Sequence, residues 1–205
     1  MMLIIGLTGS IGMGKSTAAA RFLERGVAVF DADAEVHRLY AGPLVATIEA
    51  AFPGATTNGA VDRGKLAAIL IQRPERFTEL EAIVHPQVRA SQKLFLQQQA
   101  TEKAKMAVLE IPLLFESGAE KYIDVSIVVT AGEDIQRRRV LARPGMSQSK
   151  LDLLLARQMS DAEKRRRADF IVDTSGTVEN CHKQIDTIRT TLDERCGTAY
   201  EQFWR

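Results

Sequence analysis

A lysine and a hydroxyl stand directly behind a glycine-rich run in Gly9-Ser10-Ile11-Gly12-Met13-Gly14-Lys15-Ser16. Four residues separate Gly9 from Gly14-Lys15-Ser16, the spacing of a loop that wraps a polyphosphate. Glycines let successive backbone N–H groups turn toward phosphate oxygens without side-chain clashes. A helix starting there adds unpaired donors and a favourable dipole end. The pattern predicts a triphosphate cradle made of Gly9, Ser10, Ile11, Gly12, Met13, Gly14, Lys15, Ser16 and Thr17. Lys15 is expected to reach the β- and γ-phosphates, and Ser16 to ligate Mg2+ through its hydroxyl. Thr17 reads as a helix or phosphate-contact residue. ATPases, GTPases and small-molecule kinases share this motif, so it specifies the donor and leaves the reaction open.

The second cluster is Asp31-Ala32-Asp33, immediately after the β-rich run Val27–Phe30. Strand carboxyl ends in open α/β sheets face ligand crevices. A carboxylate placed there can orient an acceptor hydroxyl or take its proton during phosphoryl transfer. Asp33 is the preferred base. Asp31 is the secondary candidate, for a Mg2+-bound water or for structural work, and helix capping competes for both. His37 follows Asp33 by four residues and can share its helical face. Glu110, after Val108-Leu109, is a candidate for holding a Mg2+-bound water or positioning backbone, against a role as cap or ion-pair partner. Asp124 opens another strand and reads as structural.

Charge supplies a third feature. Net charge is only +1, but Arg137 to Arg167 carries ten Lys or Arg against three Asp or Glu. Arg139 and Arg143 meet on one helical face if the helix persists that far, and Pro144-Gly145 then ends it. Two helices around this turn would form a lid that closes arginines over a polyphosphate and excludes water. The guanidinium fork matches phosphate oxygens. A solvated face accounts for many of the remaining basic residues. A GTP-regulated binding protein is disfavoured, because no D-x-x-G switch or N-K-x-D motif accompanies the loop. Nucleic acid is not expected as a partner, since no zinc finger or stacking aromatic series is present.

These groups need a scaffold. Met2–Leu7, Val27–Phe30, Met106–Ile111, Val125–Val129 and Phe170–Val172 read as strands. Helical patterns cover Lys15–Arg25, Asp31–Tyr40, Leu44–Phe52, Arg63–Ile71, Glu75–Gln99, Ile135–Leu141, Lys150–Met159, Ala162–Ala168 and Val178–Arg195. Pro53–Gly59 is turn-rich, and His85-Pro86 is expected to start or kink a helix. Strands separated by helices predict a mostly parallel, three-layer α/β core. No long linker interrupts residues 1–205, so they read as a single domain. Cys181 and Cys196 fit no metal motif and read as free thiols. No window has the apolar length of a membrane span, and Met1–Leu7 lacks a basic leader. A cytoplasmic enzyme without a membrane partner is the expectation; oligomeric state stays open.

In their order, these segments resemble the dephospho-coenzyme A kinase family. Gly6 to Ser16 looks like its phosphate loop, and Asp31-Ala32-Asp33 with His37 like its D-A-D-x-x-x-H segment. His85-Pro86 with Val88 resembles its acceptor region, and Pro112-Leu113-Leu114-Phe115-Glu116 its P-L-L-F-E run. Arg139, Arg143 and Gly145 resemble its lid, with Gln158 in the later lid helix and Ala168-Asp169 before the final strand. The resemblance covers nearly the whole chain. It implies a three-layer P-loop kinase fold with a helical acceptor-binding region at approximately 60–105 and a helical lid at approximately 132–165. It implies ATP-dependent phosphorylation of the 3′-hydroxyl of dephospho-coenzyme A, giving coenzyme A and ADP in the last step of coenzyme A biosynthesis. Asp33 would be the base, and Lys15, Arg139 and Arg143 would stabilise the transferring phosphate. Acceptor contacts would fall to Thr8, Asp33, His37, His85, Leu113, Phe115 and Glu116. A related P-loop kinase for another nucleoside or nucleotide is the alternative. Two positions depart from the pattern. Glu110 stands where an aspartate is common, and Thr174 replaces the usual asparagine, losing a paired amide donor and acceptor.

Overall fold

The computed structural model describes residues 1–205. Its strands are Leu3–Thr8 (β1), Ala28–Asp31 (β2), Thr56–Thr57 (β3), Ala60–Val61 (β4), Met106–Glu110 (β5), Val125–Thr130 (β6) and Phe170–Asp173 (β7). Its α-helices are Lys15–Glu24 (α1), Ala32–Tyr40 (α2), Val45–Ala51 (α3), Arg63–Gln72 (α4), Phe77–Thr101 (α5), Glu133–Leu141 (α6), Gln148–Ala156 (α7), Asp161–Arg167 (α8) and Val178–Leu192 (α9). They form two compact units, one of residues 1–30 with 96–205 and the other Asp31–Phe95.

The first unit is built on a five-stranded sheet in the order β2-β5-β1-β6-β7. β1 pairs in parallel with both β5 and β6, and β6 in parallel with β7. Ile5 thereby lies opposite Val108 on one side and Val125 on the other. Every residue of β1, β5 and β6 is buried, because helices cover both faces. That explains their nearly uninterrupted apolar runs.

Side chains alternate across the sheet. Leu3, Ile5, Leu7, Val108, Ile127 and Val129 pack with Ala18 and Phe22 of α1 and with Cys181, Ile185, Ile188 and Leu192 of α9. Burying a side chain such as Phe22 contributes about 1.5–3 kcal/mol. The opposite face packs Val128 with Leu114 and Phe115, flanked by Ile123, Met159 and Ala168. Outside the core, Asp186 of α9 binds α1 through both arginine forks: Arg21 at 2.6 and 3.0 Å and Arg25 at 2.5 and 2.9 Å. These four bonds hold its carboxyl well below the usual carboxylate range, those from Arg25 foremost. Asp124 is structural, as the sequence suggests, accepting from the backbone N–H groups of Ile4, Thr198 and Ala199.

The second unit has its own core of Leu39, Tyr40, Leu44, Ile48, Phe52, Leu66, Leu70 and Val84. Asp62 caps α4 by accepting from Gly64 and Lys65 N–H. Two features differ from the sequence reading. The turn-rich stretch contains a small hairpin, β3 with β4, closed by Asn58-Gly59 at φ 51° and 76°. Asparagine and glycine tolerate the positive φ that such a two-residue turn demands. No helix starts at His85-Pro86, since α5 is one helix of 25 residues with Pro86 inside it. Pro86 and Ala82 are both exposed, so the carbonyl left without its N–H partner faces solvent.

Candidate active site

The glycine loop joins the end of β1 to the start of α1. Gly14 is the N-cap, in left-handed conformation, and no side chain caps the helix. The Thr17 N–H donates to the Gly14 carbonyl at 3.1 Å, and the N–H groups of Lys15 and Ser16 ahead of it are placed to meet an anion. Gly12 and Gly14 have φ of 79° and 89°. A Cβ at Gly12 would stand 2.5 Å from Val140, and one at Gly14 would stand 3.0 Å from Thr174 Oγ1. The backbone disfavours a side chain at both positions, and at Gly12 there is no space for one either. Ser10 and Met13 are buried, and the Met13 N–H closes the loop onto the Ser10 carbonyl at 3.2 Å.

Lys15 is the first residue of α1. Its Nζ lies 3.8 Å from Glu110 Oε1 at the end of β5, with only 13% and 8% of the two side chains exposed. Of the roles open to Glu110 in the sequence, the structure displays the ion pair. Ser16, next in line, is exposed.

The lid elements hold the loop from outside. Gln136 Nε2 donates to the Ile11 carbonyl at 2.8 Å, and the Ile11 N–H donates to Gln158 Oε1 at 3.2 Å. The Ala131 N–H meets Met13 Sδ at 3.1 Å. Arg139 projects from α6 and donates through Nη1 to Thr174 Oγ1 at 3.0 Å and through Nη2 to the Thr174 carbonyl at 2.7 Å. The Thr174 hydroxyl donates to the Met13 carbonyl at 2.8 Å. Arg143 does not share a helical face with Arg139. α6 stops at Leu141 and is capped at Ala142, and the chain turns ahead of Gly145, whose φ is 72°. Arg143 is exposed beyond the helix end.

The run Pro112 to Glu116 serves packing in this conformation. Thr8 is buried and donates to the Pro112 carbonyl at 3.2 Å. Phe115 is 6% exposed and sits in the core with Leu114 and Val128, where its apolar ring is better placed than in solvent. Leu113 is half-buried. Glu116 Oε1 accepts from Lys164 Nζ at 2.9 Å and from the Met159 N–H at 2.7 Å. Lys164 is wholly buried and also approaches the Pro112 carbonyl at 3.4 Å. The sequence reading missed Lys164, which is hidden in Lys164-Arg165-Arg166-Arg167, where all four side chains look alike.

In the second unit the two aspartates separate. Asp31 is the N-cap of α2, accepting from the Ala34 N–H at 3.0 Å. Asp33 lies in the first turn of the same helix, exposed and with no side-chain partner. His37 is exposed in the last turn of α2, and His85 is exposed on α5.

A glycine loop between a buried parallel strand and a helix, with a lysine at the helix start and Arg139 of α6 held beside the loop, fits a P-loop kinase. The dephospho-CoA kinase family model matches residues 3–180. A dephospho-CoA kinase of Brucella melitensis is 52% identical over 198 residues, covering 97% of this chain and 99% of that protein. A solved Thermus thermophilus structure, TT1252, aligns with TM-score 0.79 at 36% identity over 93% of this chain and 98% of the other. The solved dephospho-CoA kinase of Campylobacter jejuni aligns with TM-score 0.66 at 26% identity over 95% and 98%. The chain belongs to the dephospho-CoA kinase family.

Proposed function

We propose that this P-loop kinase transfers the γ-phosphoryl group of ATP to the 3′-hydroxyl of dephospho-coenzyme A, with Asp33, Lys15, Arg139 and Arg143 as the working side chains. The observation that carries the reading is the placement of Lys15. It stands at the uncapped start of α1, largely buried and oriented by Glu110, in a chain of this family.

The steps follow from the residues. The loop from Gly9 to Thr17 takes the triphosphate on its N–H groups, with Lys15 on the β- and γ-oxygens. Asp33 accepts the proton of the acceptor hydroxyl as its oxygen bonds to the γ-phosphorus. The bond to the β-phosphate bridging oxygen breaks, and ADP leaves with that electron pair. Charge on the transferring oxygens falls to Lys15, Arg139 and Arg143. Aligned donors of this kind act where charge develops.

The exposed Ser16 hydroxyl is a hard oxygen donor of the kind Mg2+ takes, and this ion binds through few protein ligands plus phosphates and waters. Ser16 would hold it, and Glu110 would orient one of its waters. When bound, the ion neutralises charge on the β- and γ-phosphates. The acceptor is assigned to the helical stretch at approximately 60–105, with His37, His85 and Leu113 as its contacts. Thr8, Phe115 and Glu116 complete the proposed set of acceptor contacts. The lid comprises residues 132–165 approximately. Residues 1–205 act together as one catalytic domain, and the cytoplasm is the assigned compartment. No helix is long and apolar enough to cross a membrane.

The test is an ATP-dependent assay with dephospho-coenzyme A, adenosine and other nucleosides in parallel, with phosphate position read by NMR. Strong preference for dephospho-coenzyme A and a 3′-phosphorylated product is expected. Efficient transfer to another acceptor, with none to dephospho-coenzyme A, would overturn the assignment.

A further inference from the structure

The geometry points to Thr174 as a positioning residue for phosphoryl transfer, one that fixes the lid guanidinium of Arg139 against the phosphate loop. The inference rests on the reading of Arg139 as a clamp on the transferring phosphate.

Thr174 follows β7 directly, and its N–H donates to the Thr130 carbonyl at 2.8 Å. The residue is therefore held by the sheet and not by the lid. It is 4% exposed. Its hydroxyl has one proton to give. The Met13 carbonyl, at 2.8 Å, takes it, and the Thr130 carbonyl at 3.2 Å is the longer alternative. With the proton directed away, an oxygen lone pair is left to accept from Arg139 Nη1 at 3.0 Å. The Thr174 carbonyl accepts from Nη2 at 2.7 Å. The same side chain lies over Gly14, where any Cβ would stand 3.0 Å from the hydroxyl oxygen and 3.2 Å from the methyl. One buried residue thus touches the loop at Met13 and Gly14 and the lid at Arg139.

The consequence is orientational. A guanidinium carries five N–H donors, and Thr174 engages two of them. The rest remain available to phosphate oxygens. An arginine already fixed by two bonds has less freedom to lose when it meets the developing charge, so its contribution is realised in the transition state. Thr174 should accordingly act on kcat and leave the KM for dephospho-coenzyme A in place.

The experiment is a double-mutant cycle between Thr174→Ala and Arg139→Gln, with Thr174→Ser as the conservative variant. Steady-state kinetics are measured on each protein, and thermal melts report the folded fraction. Ala is used because a valine methyl would press against the Met13 carbonyl. T174A is expected to lower kcat about tenfold, the scale of one hydrogen bond to a charged group, with KM for dephospho-coenzyme A unchanged. T174S should restore most of the rate. In the R139Q background, T174A should cost little more. An equal loss in both backgrounds makes Thr174 a structural support only and overturns the proposal. So does full turnover in T174A when R139Q is impaired. Full turnover in R139Q instead overturns the Arg139 clamp itself, and the proposal with it. If T174A is unfolded, T174S decides alone: near-parental kcat supports the hydroxyl relay, and a loss equal to that of R139Q overturns it.

Discussion

Lys164 Nζ lies 2.9 Å from Glu116 Oε1, and none of the lysine side chain reaches solvent. The other carboxylate oxygen, Oε2, is buried without a hydrogen-bond partner. The pair depends on one oxygen, which also caps the Met159 N–H. Removing one member of a buried pair leaves a charge uncompensated and typically costs about 3–5 kcal/mol. Lys164→Met should therefore lower unfolding free energy by roughly that amount in urea titrations. The double variant Lys164→Met with Glu116→Gln should recover much of the loss. A single variant within about 1 kcal/mol of the parent, the range of an exposed pair, would show that the pair contributes little.

Lys15 is predicted to matter to chemistry more than to folding. Lys15→Ala should reduce kcat about 10²–10³-fold, the effect of deleting one donor aimed at developing charge. ATP affinity should also weaken, read by calorimetry. Lys15→Arg should not restore the rate, because a planar fork replaces a compact ammonium. Parental turnover and affinity in Lys15→Ala would refute the role.

The two aspartates of α2 should give opposite phenotypes. Asp31→Ala removes a cap and should cost about 0.5–2 kcal/mol of stability, with turnover per folded molecule kept. Asp33→Asn should fold as the parent and bind ATP as tightly. Its turnover with saturating acceptor should fall about 10²–10⁴-fold, the usual contribution of a positioned base. A stable Asp31→Ala protein, or an Asp33→Asn protein at full rate, would reverse the assignment.

Acid should loosen the α1–α9 contact. The folded-state pKa of Asp186 is depressed, chiefly by Arg25 and then by Arg21. That of Asp62 is depressed by its bonds from the Lys65 and Gly64 N–H groups. For depressed carboxylates the stabilisation is fully present above the unfolded pKa near 4. It is lost as pH falls through the folded values. Melting temperature should thus decline below about pH 4. Asp186→Asn should lie lower at pH 7 and show a shallower acid decline. Parallel curves for parent and variant would remove Asp186 from the explanation.

Much of the sheet was legible before the structure. β1, β5 and β6 are buried on both faces, and their apolar runs mark them to within about a residue. The loop from Gly9 to Ser16 was equally plain, because motif and site are contiguous. The hairpin of β3 and β4 was not, since two-residue strands carry no periodicity. Pro86 misled for a different reason: helix breaking is a local rule, and an exposed turn of a long helix tolerates the missing bond. The pairing of Arg139 with Thr174 needed the ends of β6 and β7 brought together, and Lys164 needed the knowledge of which arginine-rich face turns inward. Sequence spacing holds neither piece of information.

The family match stops at Asn180, only three residues into α9. The side chains of α9 that close the core are Cys181, Ile185, Ile188 and Leu192, and all lie past that point. They cover Ala18 and Phe22, on the helix whose first residue is Lys15. The boundary of the family match is therefore a poor guide to where the molecule can be trimmed. A version shortened at the edge of that match would keep every residue of the nucleotide loop and lose the wall behind it.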